Sequence, residues 1–140
     1  MTAGQQRVIV VDAANVVGSR PDGWWRDRVG AARRLLARLA ELQERLGDAT
    51  EVVVVLEGAA RRAVQGPDEP ELGLLRVVLA DGSGDDTIAA VAAELTGREP
   101  VPDVTVVTAD RGLRQRTEPT GAVSEGPTWL LNQLTPNGTG

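Results

Sequence analysis

Arg7-Val-Ile-Val-Val-Asp12 is an unbroken apolar run that ends in an acid and passes straight into Ala13-Ala14-Asn15. Four consecutive β-branched residues leave no alternation of apolar and polar faces, so the run predicts a strand covered on both sides, as in a parallel sheet. The pattern returns in Glu51-Val-Val-Val-Val-Leu56, which leads into Glu57-Gly58, and in Val104-Thr-Val-Val-Thr108, which leads to Asp110. A shorter run from Leu75 to Ala80 precedes Asp81-Gly-Ser-Gly-Asp-Asp86, and Ala122 to Ser124 predicts a last edge strand.

Helical periodicity fills the gaps between these runs. Val29, Ala32, Leu35, Leu36, Leu39, Leu42 and Leu46 form one stripe, closed by Gly47. Ile88, Val91, Ala92 and Leu95 form a second stripe from Asp85 to Gly97. A short helix is predicted from Arg111 to about Arg116, and Pro127 suits the first turn of a helix carrying Trp129, Leu130, Leu131 and Leu134. The stretch with Pro21, Asp22 and Gly23 reads as a loop, and Ala59 to Leu74, with Gly66, Pro67 and Pro70, as irregular chain. Buried strands alternating with helices predict an α/β fold, an open parallel sheet wrapped on both faces by right-handed crossovers. In such a sheet the functional crevice lies at the carboxyl ends of the strands.

Composition narrows the chemistry. The 140 residues are expected to form one domain over 1–134, with a flexible tail over 135–140. There is no Cys and no His, which removes disulfides, thiolate zinc sites, the usual zinc ligand and the commonest general base. Any catalysis must run on carboxylates, hydroxyls, Arg or a bound hard cation such as Mg²⁺ or Mn²⁺. No apolar run approaches the roughly 20 residues that span a bilayer, so a cytoplasmic protein without a membrane partner is expected. The net charge of −5 argues against a broad electrostatic grip on nucleic acid, although acids gathered around a cation would reverse the local sign.

Asp12, Glu57, Asp85, Asp86 and Asp110 all fall at, or one short turn beyond, a predicted strand end. Each alone could be a helix cap. Together, carboxylates converging on one rim would repel and raise one another's pKa unless a cation sits among them. A divalent ion there could activate water and orient a phosphodiester. Asn15 could hold water or phosphate, or cap the next helix, and Thr108 could act similarly. Gly82-Ser83-Gly84 lacks the spacing of a dinucleotide or Walker loop and reads as a tight turn. Arg61, Arg62, Arg111, Arg114 and Arg116 start from the same edge and could clamp phosphates, Arg111 and Arg114 foremost, whereas Arg33, Arg34, Arg38 and Arg45 read as a solvated helix face. Trp24 and Trp25 could stack on unpaired bases or plug the loop, with the plug preferred, and Trp129 reads as core.

Three segments, Val-Val-Asp12-Ala-Ala-Asn15-Val-Val-Gly18, Asp85-Asp86-Thr-Ile88 and Val-Thr108-Ala-Asp110-Arg111-Gly-Leu113, together resemble the NYN branch of the PIN-like domains, including the YacP-like proteins. The resemblance runs in order from Arg7 to Leu134. It implies a three-layer α/β/α sandwich with a parallel sheet of four or five strands in the order 3-2-1-4-5. It further implies a ribonuclease that hydrolyses RNA phosphodiester bonds to 5′-phosphate and 3′-hydroxyl ends. Asp12, Asp85 and Asp110 would be its metal ligands, with Asp86 a fourth and Asn15 the polar residue behind the first acid. Ala13 stands where a Gly is commoner, and Leu56-Glu57-Gly58 where Asp-Gly is frequent, so Glu57 is expected behind the ligands. The expected cofactor is Mg²⁺ or Mn²⁺ and the expected partner single-stranded RNA, with a homodimer left open. Two other readings stay open: a nucleotide pyrophosphohydrolase or phosphatase, and a non-catalytic RNA-binding or interaction module with the same fold.

Overall fold

A computed structural model describes residues 6–19, 23–66 and 70–134. The expected tail over 135–140, Pro21, Asp22, Pro67 and the side chain of Trp24 lie outside the described residues. Five strands, β1 (Arg7–Asp12), β2 (Thr50–Leu56), β3 (Arg76–Leu79), β4 (Asp103–Val107) and β5 (Val123–Glu125), form one sheet in the order β3-β2-β1-β4-β5. Every pairing is parallel, and Val10 sits between Val53 and Val106 in register. The strand order and parallel pairing agree with expectation, and all five predicted strands form within two residues of their expected bounds.

The helices are α1 (Ala13–Gly18), α2 (Arg28–Leu46), α3 (Gly84–Thr96), α4 (Arg111–Thr117) and α5 (Pro127–Leu134). They divide between the two faces of the sheet, completing three layers. Ile9, Val11, Val52, Val54 and Leu56 point to one face, where Leu35, Leu36, Leu39 and Leu42 of α2 meet Leu130 and Leu134 of α5. Val8, Val10, Val53 and Val55 point to the other, against Ile88, Ala92 and Leu95 of α3 and Leu113 of α4. Alternate residues of one strand thus enter two cores, which is why the runs carry no polar positions. Each such Val or Leu removed from water contributes about 1.5–3 kcal/mol.

Two irregular segments hold more structure than the sequence reading gave them. The chain after Asp12, expected as a loop, begins with α1, and Gly58–Val64 is a 3₁₀ helix that packs Ala63 into the core. Both are too short for helical periodicity to register. Gly82-Ser83-Gly84, expected as a tight turn, opens α3, with the Ser83 hydroxyl accepting from the amides of Asp85 and Asp86. Trp129, expected as core, is half-buried, packing on the first core with the Arg7 guanidinium 5.7 Å from its ring centroid.

Gln43 of α2 is buried although polar. Its amide nitrogen donates to the Thr50 carbonyl at 2.7 Å, and its amide oxygen accepts from Val52 N–H at 2.6 Å. The partner strand β3 starts opposite Val53, so Gln43 serves the part of β2 that β3 does not reach.

Candidate functional site

The strand order reverses between β1 and β4, and open α/β sheets place their ligands at the carboxyl end of such a switch point. Asp12 ends β1 there, and Thr108, Ala109 and Asp110 follow β4. Hydrogen bonds join the two ends. Thr108 Oγ1 donates to Asp12 Oδ2 at 2.9 Å and accepts from Asp110 N–H at 3.1 Å. Asp12 Oδ1 accepts from Asn15 N–H at 3.3 Å, and Asn15 Oδ1 accepts from Ala109 N–H at 2.8 Å. Asp110 in turn caps α4 by accepting from Leu113 N–H at 2.9 Å. The capping reading of Asp12 and Asp110 is therefore realised, and Thr108 bonds both residues at once.

Arg114 reaches back from α4 and donates from Nε and Nη2 to the Thr108 carbonyl, at 2.9 and 2.7 Å. Two donors that the sequence reading aimed at phosphate thus fasten the loop carrying Thr108 and Asp110. Arg111, the first residue of α4, is exposed.

Electrostatics single out Asp12. It is only 5% exposed, and burial raises its pKa from 3.8 to about 6. The hydrogen bonds from Thr108 and Asn15 oppose the rise, while the charges of Asp85 and Glu57 add to it. Asp85, in the first turn of α3, is also raised, first by burial and then by the charge of Asp110, with Arg116 pulling the other way. The charges of Glu57 and Asp85 thus act on Asp12, and the charge of Asp110 acts on Asp85. Among the described residues, no three acids are drawn together tightly enough to form a finished metal ligand set. The donors are all carboxylate oxygens, and a hard divalent cation would offset the burial that raises Asp12 and Asp85 together with the smaller repulsion among their charges. In that sense the residues suit Mg²⁺ or Mn²⁺.

Asp86 is turned elsewhere. Its Oδ1 pairs with Arg116 Nη1 at 2.9 Å, and its side chain is 73% exposed. Glu57, which the sequence reading kept behind the ligands, rests its carboxylate on Gly84, where a Cβ would overlap Glu57 Oε1. Glycine at the start of α3 leaves room for the Glu57 carboxylate beside that helix. A glycine's use in a close approach leaves no mark in sequence beyond the residue itself. Trp25 is 54% exposed and so does not plug the loop. A cleft of about 210 Å³ between α1, α2 and α5, lined by Val16, Leu35 and Leu134 among others, contains none of these acids.

No family model matches the sequence, and no curated protein matches it. Among solved structures, the chain is similar to a crystal structure of a mutant Rae1 (YacP) from Bacillus subtilis, with a TM-score of 0.73 at 19% sequence identity. The match covers 92% of this chain and 75% of that one. Layers, strand order and this overlap agree: the chain has the YacP-like, NYN/PIN-like fold.

Proposed function

We propose that the chain is a metal-dependent ribonuclease that hydrolyses phosphodiester bonds of single-stranded RNA. The observation that carries the reading is the placement of Asp12. A nearly buried carboxylate ends the central strand at the switch point, within electrostatic reach of Asp85 and Glu57, with its pKa raised to about 6. A purely structural cap gains nothing from like charges facing it. The resemblance of the three motifs to NYN nucleases supports the same reading, and the fold is compatible with it.

Asp12, Asp85 and Asp110 would hold Mg²⁺ or Mn²⁺, with Glu57 beside them. When bound, the ion would supply the charge that activates water and offsets the developing charge on phosphate. The chain's own residues set the geometry. Thr108 fixes the rotation of the Asp12 carboxylate by holding Oδ2. Asn15 ties the loop after β4 to α1, so that Asp12 and Asp110 keep one relative position. Arg114 holds that loop from below through the Thr108 carbonyl. With His absent, a proton must go to a carboxylate or to solvent. Exposed Arg111, the residue after Asp110, can meet a phosphate.

The test is cleavage of a labelled single-stranded RNA in Mn²⁺, beside a panel of free nucleotides, by wild type and Asp110→Asn. The expected result is 5′-phosphate products from RNA, no turnover of nucleotides, and a rate at least about 100-fold lower in the variant. Products with 2′,3′-cyclic phosphate ends, or cleavage that survives both chelation and the substitution, would overturn the reading.

A further inference from the structure

Beside the acids lies a second feature that catalysis by carboxylates does not need. Ala13, Ala14, Val17, Ala32, Ala59 and Ala60 wall a cleft of about 180 Å³, with Glu57 and Arg28 also in its lining. It sits between α1, the start of α2 and the 3₁₀ helix Gly58–Val64. Five of those wall residues are alanines, drawn from three separate segments of chain. Folded interiors rarely leave apolar voids larger than a water molecule, and a Leu or Val at one or two of these positions would close this one. Ligand pockets for drug-sized molecules are roughly 300–1,000 Å³, so this cleft suits one flat ring system rather than a larger molecule.

Its surroundings select among flat ligands. Its lining includes Ala13, the residue after Asp12, and Glu57, whose charge acts on Asp12. On its other side Gly58 and Ala59 also line a neighbouring cleft, about 460 Å³, that holds Arg61, Arg62 and Gln65. Arg61 is fixed by bonds to the Gly58 and Ala80 carbonyls, while Arg62 is exposed. An apolar slot with Glu57 in its lining, flanked by a cleft that holds Arg61 and Arg62, matches a base with a polar edge and the phosphate beside it.

We infer that the alanine-lined cleft between α1, α2 and the 3₁₀ helix Gly58–Val64 is a subsite for one unstacked nucleobase of single-stranded RNA. Arg62 meets the neighbouring phosphate. The inference rests on the ribonuclease reading for its substrate, but base binding can be measured without cleavage. The subsite would give the enzyme a base preference next to the scissile bond, which the acids by themselves cannot supply.

The experiment is an NMR titration of the full chain, in metal-free buffer, with the four nucleoside monophosphates and with a four-nucleotide RNA. Expected are shifts of the Ala14, Ala59 and Ala60 methyl resonances, at least tenfold tighter binding of the RNA than of any monophosphate, and a threefold or larger weakening in Arg62→Gln. Ala14→Leu, at an exposed position, and separately Ala60→Leu should abolish the shifts without lowering the melting temperature by more than a few degrees. Unmoved alanine methyls with every ligand would overturn the subsite, whatever the cleavage assay shows. Equal affinity for a monophosphate and the RNA would overturn its assignment to RNA. Retained base binding in a protein that cuts nothing would instead sink the ribonuclease reading and leave the subsite standing.

Discussion

The two halves of the sheet's carboxyl rim treat their acids in opposite ways. Where β1 meets β4, Asp12 is buried and held by Thr108 and Asn15. At the start of α3, Asp85 is less deeply placed, and Asp86 lies in solvent, paired with Arg116. The first half holds its carboxylate out of water, whereas in the second Asp86 stays in solvent beside an opposite charge. Charge on a carboxylate is cheap in water and expensive in the interior. A ligand that brings positive charge should therefore gain most from Asp12 and least from Asp86, although both look alike as Asp residues near strand ends.

Three substitutions test this contrast, in falling order of effect. Asp12→Asn has the largest. Because the folded pKa lies above the ordinary 3.8, stability linked to the Asp12 proton is complete below pH 3.8 and lost as pH rises through about 6. In metal-free buffer the variant should therefore be flatter between pH 4 and 7 and more stable at pH 7, by at most about 3 kcal/mol. Denaturant unfolding of both proteins across that range measures the difference, and parallel curves would show that Asp12 is not strained.

Thr108→Val comes next. It removes the hydroxyl that serves both Asp12 and the Asp110 amide, at an expected cost of about 1–3 kcal/mol. Losing a bond that favours the charged form should also move the Asp12 titration above about 6, readable by carbon NMR of the carboxyl. Thr108→Ser should restore both. An unmoved titration would mean that the hydroxyl does not govern Asp12.

The smallest effect is expected of Asp86→Asn. An exposed pair with Arg116 contributes less than about 1 kcal/mol, and Mn²⁺ binding followed by calorimetry should change by less than about threefold. A loss of Mn²⁺ affinity of about tenfold or more would erase the contrast between the two halves.

The sheet was legible because its strands are buried on both faces, and double burial writes itself into sequence as Val8 to Val11 and Val52 to Leu56. The long helix was legible for the same reason, since nineteen residues give its apolar stripe five turns in which to repeat. Short elements carry no such record, and α1 and the 3₁₀ helix after Glu57 went unread. Among the candidate residues, sequence position put acids near the strand ends but did not tell which of them are buried. Asp12 and Asp86 differ in solvent exposure and partners, and those depend on Thr108 and Arg116, distant in sequence. The roles of Arg114 and Gly84 were hidden similarly, because a guanidinium aimed at a carbonyl and a missing Cβ are facts of packing.

Gln43 has a consequence beyond the site. A residue in a parallel ladder offers its neighbour one carbonyl and one amide, and the Gln43 side chain offers the same pair to Thr50 and Val52. It imitates one residue of a strand that is not there. An incoming extended peptide, from this chain or another, would find that stretch of β2 already satisfied, and could add only by first expelling a buried amide. Side-chain mimicry of backbone is thus a means of guarding a sheet against self-association, and here it lies at the opposite end of the strands from the acids.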